Sequence, residues 1–186
     1  EGYQITALSF HYGQKHSVEL NYAKELANKY EVKEHLILDI PNESFSGSAL
    51  VNKTINPTKF NDYKNLPTEE VNSYVPFRNI IFLSFALSIA ESRNIHEIFI
   101  AVNKEDAINY WDCSVEFIEK MNIISKMNTS ISIESPFINL SKKEVVLLGK
   151  NLGVDFNQTI SCYQPIDGVE CGSCLSCIIK KEALNE

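Results

Sequence analysis

Apolar positions along the chain follow two rhythms, one short and one helical. "QITALSF" (4–10) is a brief run with buried-strand character. Over "QKHSVELNYAKELANKY" apolar residues recur at Val18, Tyr22, Leu26 and Tyr30, with Ala23 and Ala27 beside them, which is helical spacing. "HLILDI" (35–40) predicts a second strand. From about Pro41 to Tyr74 no apolar period holds, and Asn, Ser, Thr and Pro are frequent. A loop this long is either a lid or binding segment, or mobile. "RNIIFLSFALSIAESRN" is apolar on nearly all sides and predicts a deeply buried helix. "EIFIAV" (97–102) reads as a strand, "VEFIEKMNIISKM" as a helix and "ISIES" (131–135) as a strand. "LSKKEVVLLGKNLGV" carries its own start and stop. Ser141 is an N-cap, Glu144 completes a capping box, and Gly153 after Leu152 ends the helix. The tail "IIKKEALNE" predicts a short last helix.

Strands alternating with helices imply an α/β domain with a parallel sheet flanked by helices. Ligands in such sheets bind beyond the carboxyl ends of the strands. "HYGQ" (11–14) and "NKEDAINYWDC" (103–113) each follow a strand, so both are expected on one rim. The chain has 186 residues, 44% of them hydrophobic, which suits one domain over 1–186.

Lys plus Arg number 17 and Asp plus Glu 24, giving a net charge of -7. No basic run exceeds a pair, so a nucleic-acid partner is not expected. The most apolar stretch, "IIFLSFALSIA" (80–90), falls short of the ~20 residues that a bilayer requires, so no membrane partner is expected either. The expected compartment is the cytoplasm, where clustered cysteines are more often metal ligands than disulfides.

Four of the five cysteines lie in "SCYQPIDGVECGSCLSC" (161–177), spaced C-x8-C-x2-C-x2-C. Cys162, Cys171, Cys174 and Cys177 supply the four soft ligands of a closed zinc site, with Gly168 and Gly172 easing the turns. With no open position, such a metal is structural. An iron–sulfur cluster uses the same ligands, and free thiols or disulfides are the bland readings. Residues 157–186 are thus expected to form a metal-binding C-terminal segment.

Cys113 stands apart, at the start of a helix on the expected rim. There a helix dipole lowers a thiol pKa, while the alternative is a small buried hydrophobe. Arg78 and Asn79 fall in the first turn of the apolar helix, after Pro76. A cation there opposes the helix dipole and calls for an anion, either a ligand oxyanion or a carboxylate of the protein. Asn103, Asp106 and Asp112 lie on the rim loop, where such residues are usually turn-formers. His11 and His16 flank "YGQ", and a lone His is more often structural.

Taken in order, "ALSFHYGQKHSVEL", "YVPFRNIIFLSFALSIAE", "IFIAVNKEDAINYWDCSVEFI", "LSKKEVVLLGKNLGV" and "SCYQPIDGVECGSCLSC" resemble the 7-cyano-7-deazaguanine synthases of queuosine biosynthesis. The resemblance runs from about Gly2 to Leu184. It implies a Rossmann-like, three-layer domain of the adenine nucleotide α-hydrolase type and membership of the PP-loop ATP pyrophosphatases. It implies conversion of 7-carboxy-7-deazaguanine, ammonia and ATP, with Mg2+, into 7-cyano-7-deazaguanine through an adenylated intermediate. It also implies a homodimer, on which composition is silent.

Residue by residue, the resemblance makes Arg78 and Asn79 contacts to nucleotide or substrate carboxylate. Asp106, Asp112 and Cys113 would line the deazaguanine pocket, with Asn103 on the same loop. Tyr12, Gly13 and Gln14 would lie near the adenine, and Cys162, Cys171, Cys174 and Cys177 would hold zinc. The family's Ser-Gly-Gly-x-Asp-Ser loop is not in this sequence and is expected to precede Glu1. Asn109-Tyr110-Trp111-Asp112-Cys113 replaces the usual Gly-Tyr-Pro-Asp-Cys, and Phe77 stands where a small residue is common. The alternatives are a tRNA-modifying PP-loop enzyme, against which the acidic charge speaks, and a zinc-stabilised binding module.

Overall fold

The structure, a computed structural model, describes residues 2–185. Strand β1 (Thr6–His11) runs parallel to β2 (Glu34–Asp39), joined by helix α1 (Glu19–Lys29). Their register sets Thr6 opposite Glu34 and His11 opposite Asp39. Helix α2 is Arg78–Ser92, and β3 (Glu97–Phe99) runs parallel to β4 (Ser132–Glu134). Between them lie α3 (Asp106–Asn109), a 3-10 turn (Trp111–Cys113) and α4 (Val115–Lys126). Helices α5 (Lys142–Asn151) and α6 (Leu175–Leu184) complete the chain. The parallel strands with packed helices are the expected α/β class. Helix α1 covers the first pair, and α2 and α4 pack on the second.

The strands differ from expectation in one respect. They form two parallel pairs, and no ladder joins β1 to β3 among the described residues. The pairs touch through side chains, with Tyr3 edge-on to Phe99 at 5.5 Å. Ile5 and Phe99 stay about half exposed. An apolar run marks a strand but not the neighbour it pairs with. Helix α2 likewise departs from deep burial. Only Asn79, Leu83 and Ala90 are buried, while Phe82 stacks on Phe10 and Phe85 is exposed.

The segment 41–74 is packed, not loose. It holds 3-10 turns at Glu43–Phe45 and Tyr63–Asn65. Phe45, Leu50 and Val51 form a core cluster with Tyr12 and Val75. Lys15 N donates to Leu50 O at 2.8 Å, Ala49 N to Asn72 O at 2.8 Å, and Phe60 N to Ser173 O at 2.7 Å. The second core cluster gathers Leu83, Val102, Phe117, Ile118, Met121, Ile133 and Leu175 around α4.

Helix α5 begins and ends as its sequence dictates. Ser141 Oγ accepts from Glu144 N at 3.2 Å, and Ser141 N donates to Glu144 Oε2 at 2.7 Å. At the far end Gly153 adopts φ +75°, with Gly153 N on Lys150 O and Val154 N on Gly149 O, a Schellman closure. Helix α6 starts at Leu175, earlier than the tail alone predicts, because Cys174 is its N-cap.

The capping box yields a direct prediction. Ser141→Ala should lower unfolding stability by about 1 kcal/mol, and Ser141→Gly by only a few tenths. Urea midpoints with an unchanged slope check this, and an alanine variant as stable as the parent contradicts it.

Candidate active site

The site gathers at the amino end of α2. Phe77 occupies the N-cap with φ +54° and offers no capping side chain. The cap comes from 33 residues away, where Asp112 Oδ2 accepts from Asn79 N at 3.0 Å. Asn79 Nδ2 donates in turn to Asp112 O at 2.9 Å and lies 3.3 Å from Cys113 Sγ. A carboxylate at this helix start offsets the unfavourable placement of Arg78. Arg78 Nη1 donates to Tyr12 OH at 3.4 Å, so the start of α2 contacts Tyr12 of one expected rim segment and Asp112 of the other.

Arg78 is half-buried, and that single long hydrogen bond is the only one its side chain makes among the described residues. It forms no ion pair there. Burial works against its charge, but Tyr12, Tyr163 and Asp112 hold its pKa above the ordinary value. Burial also raises the carboxyl pKa of Asp112, though the Asn79 N–H and Arg78 pull the other way.

Asn103 and Asp106 serve the turn that opens α3. Asn103 Oδ1 accepts from Glu105 N at 3.0 Å, and Asp106 Oδ2 accepts from Asn103 N at 3.3 Å. Burial raises the pKa of Asp106, with Lys142, Asn103 and Arg78 opposing. Asp106 is thus close enough to feel the guanidinium.

Of its two expected places, Cys113 takes that of a small buried side chain. It lies in the 3-10 turn before Ser114, the N-cap of α4, within the main core cluster. Burial, then Asp106 and Asp112, push its thiol up to about 12. Those effects outweigh the dipole that would lower it.

Gly13 and Gln14 are held by local structure. Gly13 has φ +79°, and a Cβ there would come within 2.4 Å of Asn42 Nδ2. Gln14 Oε1 accepts from Tyr12 N at 2.8 Å, while Nε2 donates to Phe10 O at 2.9 Å and Glu19 Oε1 at 3.0 Å. Both ends of that amide are committed. Tyr12 is the member of this trio that reaches Arg78. Trp111 lies at the rim, 44% exposed, its Nε1 donating to Tyr74 OH at 2.7 Å.

Three mutually bonded hydroxyls near this site do not stand out in the sequence. Tyr110 OH lies 2.8 Å from Ser73 Oγ and 3.2 Å from Tyr163 OH. Tyr163 directly follows Cys162, and its place after a metal-type cysteine was the available signal. Ser73, at the end of the long loop, gives none.

The four C-terminal cysteines converge. All their Sγ atoms lie within 4.8 Å of one another, and no disulfide forms. Cys171 Sγ and Cys177 Sγ are 4.0 Å apart, against about 3.8 Å for a tetrahedron with metal–sulfur bonds of about 2.3 Å. Backbone amides point at the sulfurs. Cys171 N is 3.1 Å and Gln164 N 3.4 Å from Cys162 Sγ, Cys174 N is 3.4 Å from Cys171 Sγ, and Tyr163 N is 3.5 Å from Cys174 Sγ. Such donors orient and stabilise thiolate ligands. Gly168 and Gly172 take φ +79° and +69°, as their turns require. An all-sulfur donor set of this size fits a metal such as zinc.

The raised thiol pKa carries a pH prediction. A folded-state pKa above the unfolded one means that the folded protein keeps the proton longer. Cys113 therefore favours folding below its ordinary value of 9.0, and that contribution is lost as pH rises towards about 12. At pH 8 an alkylating reagent should leave Cys113 unmodified in the folded protein and label it in urea, as peptide mass spectrometry reads. Rapid labelling of the folded protein contradicts the assignment.

With this geometry in place, similarity to known proteins narrows the chemistry. The family described as "Queuosine biosynthesis protein QueC" matches residues 1–186. Proteins named 7-cyano-7-deazaguanine synthase are similar throughout. That of Rickettsia bellii (strain OSU 85-389) is 42% identical over 190 residues, covering 100% of this chain and 84% of the relative. That of Rickettsia canadensis (strain McKiel) is 40% identical over 193 residues, covering 100% and 85%. That of Rickettsia felis (strain ATCC VR-1525 / URRWXCal2) is 42% identical over 190 residues, covering 100% and 85%. A four-thiol cluster, an α/β frame and a whole-length match lead to one assignment: the chain belongs to the QueC family of queuosine biosynthesis proteins.

Proposed function

We propose that the protein is a 7-cyano-7-deazaguanine synthase, a carbon–nitrogen ligase. The observation that carries this reading is the family match over all 186 residues, supported by relatives of that name. Its substrates are 7-carboxy-7-deazaguanine, ammonia and ATP with Mg2+. A carboxylate is a poor electrophile, so its oxygen first attacks the α-phosphorus of ATP and pyrophosphate leaves. Ammonia then attacks the acyl carbon, loses a proton and expels AMP, leaving the amide. The amide oxygen then attacks the α-phosphorus of a second ATP, and pyrophosphate leaves again. Loss of AMP and both amide protons leaves the nitrile.

In this reading Arg78 contacts an oxyanion of the reactants, as its unpaired charge favours. Asp112 receives the proton that ammonia gives up, its raised carboxyl pKa suiting a proton carrier. Cys113 lines the pocket as a neutral thiol. Asn79, Asn103 and Asp106 shape the purine side, while Tyr12, Gly13 and Gln14 form the nucleotide side. Residues 1–186 act as one nucleotide-binding domain, with 157–186 as its metal-holding segment. Zinc bound by Cys162, Cys171, Cys174 and Cys177 fixes the loop and offers no open position for chemistry. Among the described residues no helix is long and apolar enough to cross a membrane. The cytoplasm is the proposed compartment, because it keeps adjacent thiols reduced.

Two measurements test this. Full-length protein supplied with ATP, ammonium and the acid should yield the nitrile and two AMP per nitrile, and Arg78→Met should lower kcat/KM by about 100-fold or more. Absence of nitrile from metal-replete protein would overturn the reading. Separately, Cys174→Ser should lose bound zinc and speed amide exchange across α6. Parent-like zinc content in that variant contradicts the ligand assignment.

A further inference from the structure

Nothing in the proposed chemistry so far uses the three hydroxyls beside Arg78. They come from three distant parts of the chain. Ser73 ends the long loop, Tyr110 follows α3, and Tyr163 belongs to the cysteine loop. Tyr110 OH bridges the other two, 2.8 Å from Ser73 Oγ and 3.2 Å from Tyr163 OH. Tyr163 packs against the core cluster that holds Tyr12, the acceptor of the Arg78 bond, and the charge of Arg78 acts on both phenols. This chain of hydroxyls therefore stands beside a guanidinium with donors to spare, since guanidinium carries five and Arg78 uses one.

Tyr163 divides its labour between backbone and side chain. Its N–H points at Cys174 Sγ, 3.5 Å away, and so serves the thiolate cluster. Its hydroxyl points the other way, to Tyr110. Beside it His16 packs at 6.2 Å between ring centroids. His16 is 8% exposed and binds Glu19 through Nε2, but its Nδ1 has no partner among the described residues. A buried polar atom without a partner is rare and calls for an explanation, such as a bound polar group. Two groups around Tyr163 thus have hydrogen-bonding capacity to spare: the Arg78 guanidinium and the His16 ring nitrogen.

We propose that Tyr163 is a positioning residue through which the four-cysteine loop completes an oxyanion receptor, made of Arg78 and the Tyr163–Tyr110–Ser73 hydroxyl chain, for the carboxylate or phosphate of a reactant. This rests on the reading of Arg78 as an oxyanion contact and extends it. Phenol and serine hydroxyls donate to a carboxylate or phosphate oxygen without adding charge, and the guanidinium supplies the charge. The cysteine cluster thereby acts on ligand binding through one side chain, apart from any effect on folding.

The test uses full-length, metal-loaded protein and the variants Tyr163→Phe and Tyr110→Phe. Tyr163→Phe keeps the backbone N–H on Cys174, so zinc content and melting temperature should match the parent. Affinities are measured by calorimetry for 7-carboxy-7-deazaguanine, for the uncharged 7-cyano-7-deazaguanine, and for a non-hydrolysable ATP analogue. Loss of a hydrogen bond to a charged group should weaken the acid by about 10-fold or more, with the uncharged nitrile unchanged. Tyr110→Phe, which removes the middle of the chain, should weaken the acid at least as much. If the ATP analogue weakens and the acid does not, the receptor stands and its oxyanion is the nucleotide phosphate. Equal affinities for all three ligands in parent and Tyr163→Phe, at parent zinc content, overturn the proposal. So does equal weakening of the nitrile and the charged ligands. Parent turnover separates the two readings: tight binding of the acid without nitrile formation removes the synthase and leaves the receptor.

Discussion

The site is organised around one costly placement, a guanidinium set at the amino end of a helix and walled in by protein. Helix α2 presents a positive end, and Arg78 adds to it. Two devices keep this tolerable. Asp112 caps the helix from another element through Asn79 N, and Tyr12 OH accepts from the guanidinium itself. Neither neutralises Arg78 by a direct ion pair. A charge partly out of water and short of partners is expensive.

The cysteine loop is tied to this charge by contacts in two directions. Phe60 N donates to Ser173 O, and Lys59 bridges to Cys174, so the long loop is sewn to the cluster. That loop also supplies Ser73 and, through the carbonyls of Pro67 and Glu69, holds Asn109. Cys174 caps α6, and Cys177 lies in its first turn. A segment of turns and glycines has little preference of its own for one shape. Four thiolates on a single ion would supply that preference, and the segments tied to the loop would inherit its rigidity.

Local signals were legible and long-range ones were not. The Ser141–Glu144 box and the Gly153 stop are written within a few residues, and they form as read. The cysteine spacing brings its sulfurs together because x2 steps nearly fix the geometry. By contrast, the sequence around Phe45 and Leu50 is polar, and nothing local says that these two fill a core with Tyr12. Pairing of β1 with β2 and of β3 with β4 depends on neighbours that a strand pattern does not name. Of the site, Arg78, Asn79 and Asp112 could be read as candidates, but not that Asp112 would cap α2. The placement of Cys113 allowed an acidic thiol or a small buried side chain, and burial beside two carboxylates favours the second. Tyr163 escaped notice because its neighbours in sequence advertise a metal rather than a pocket.

The most direct measurement is a crystal structure of full-length protein with 7-carboxy-7-deazaguanine and a non-hydrolysable ATP analogue bound. A carboxylate or phosphate oxygen should lie about 3 Å from Arg78, at hydrogen-bond distance. Both ligands bound with their oxyanions elsewhere, and Arg78 still joined only to Tyr12, would contradict the account.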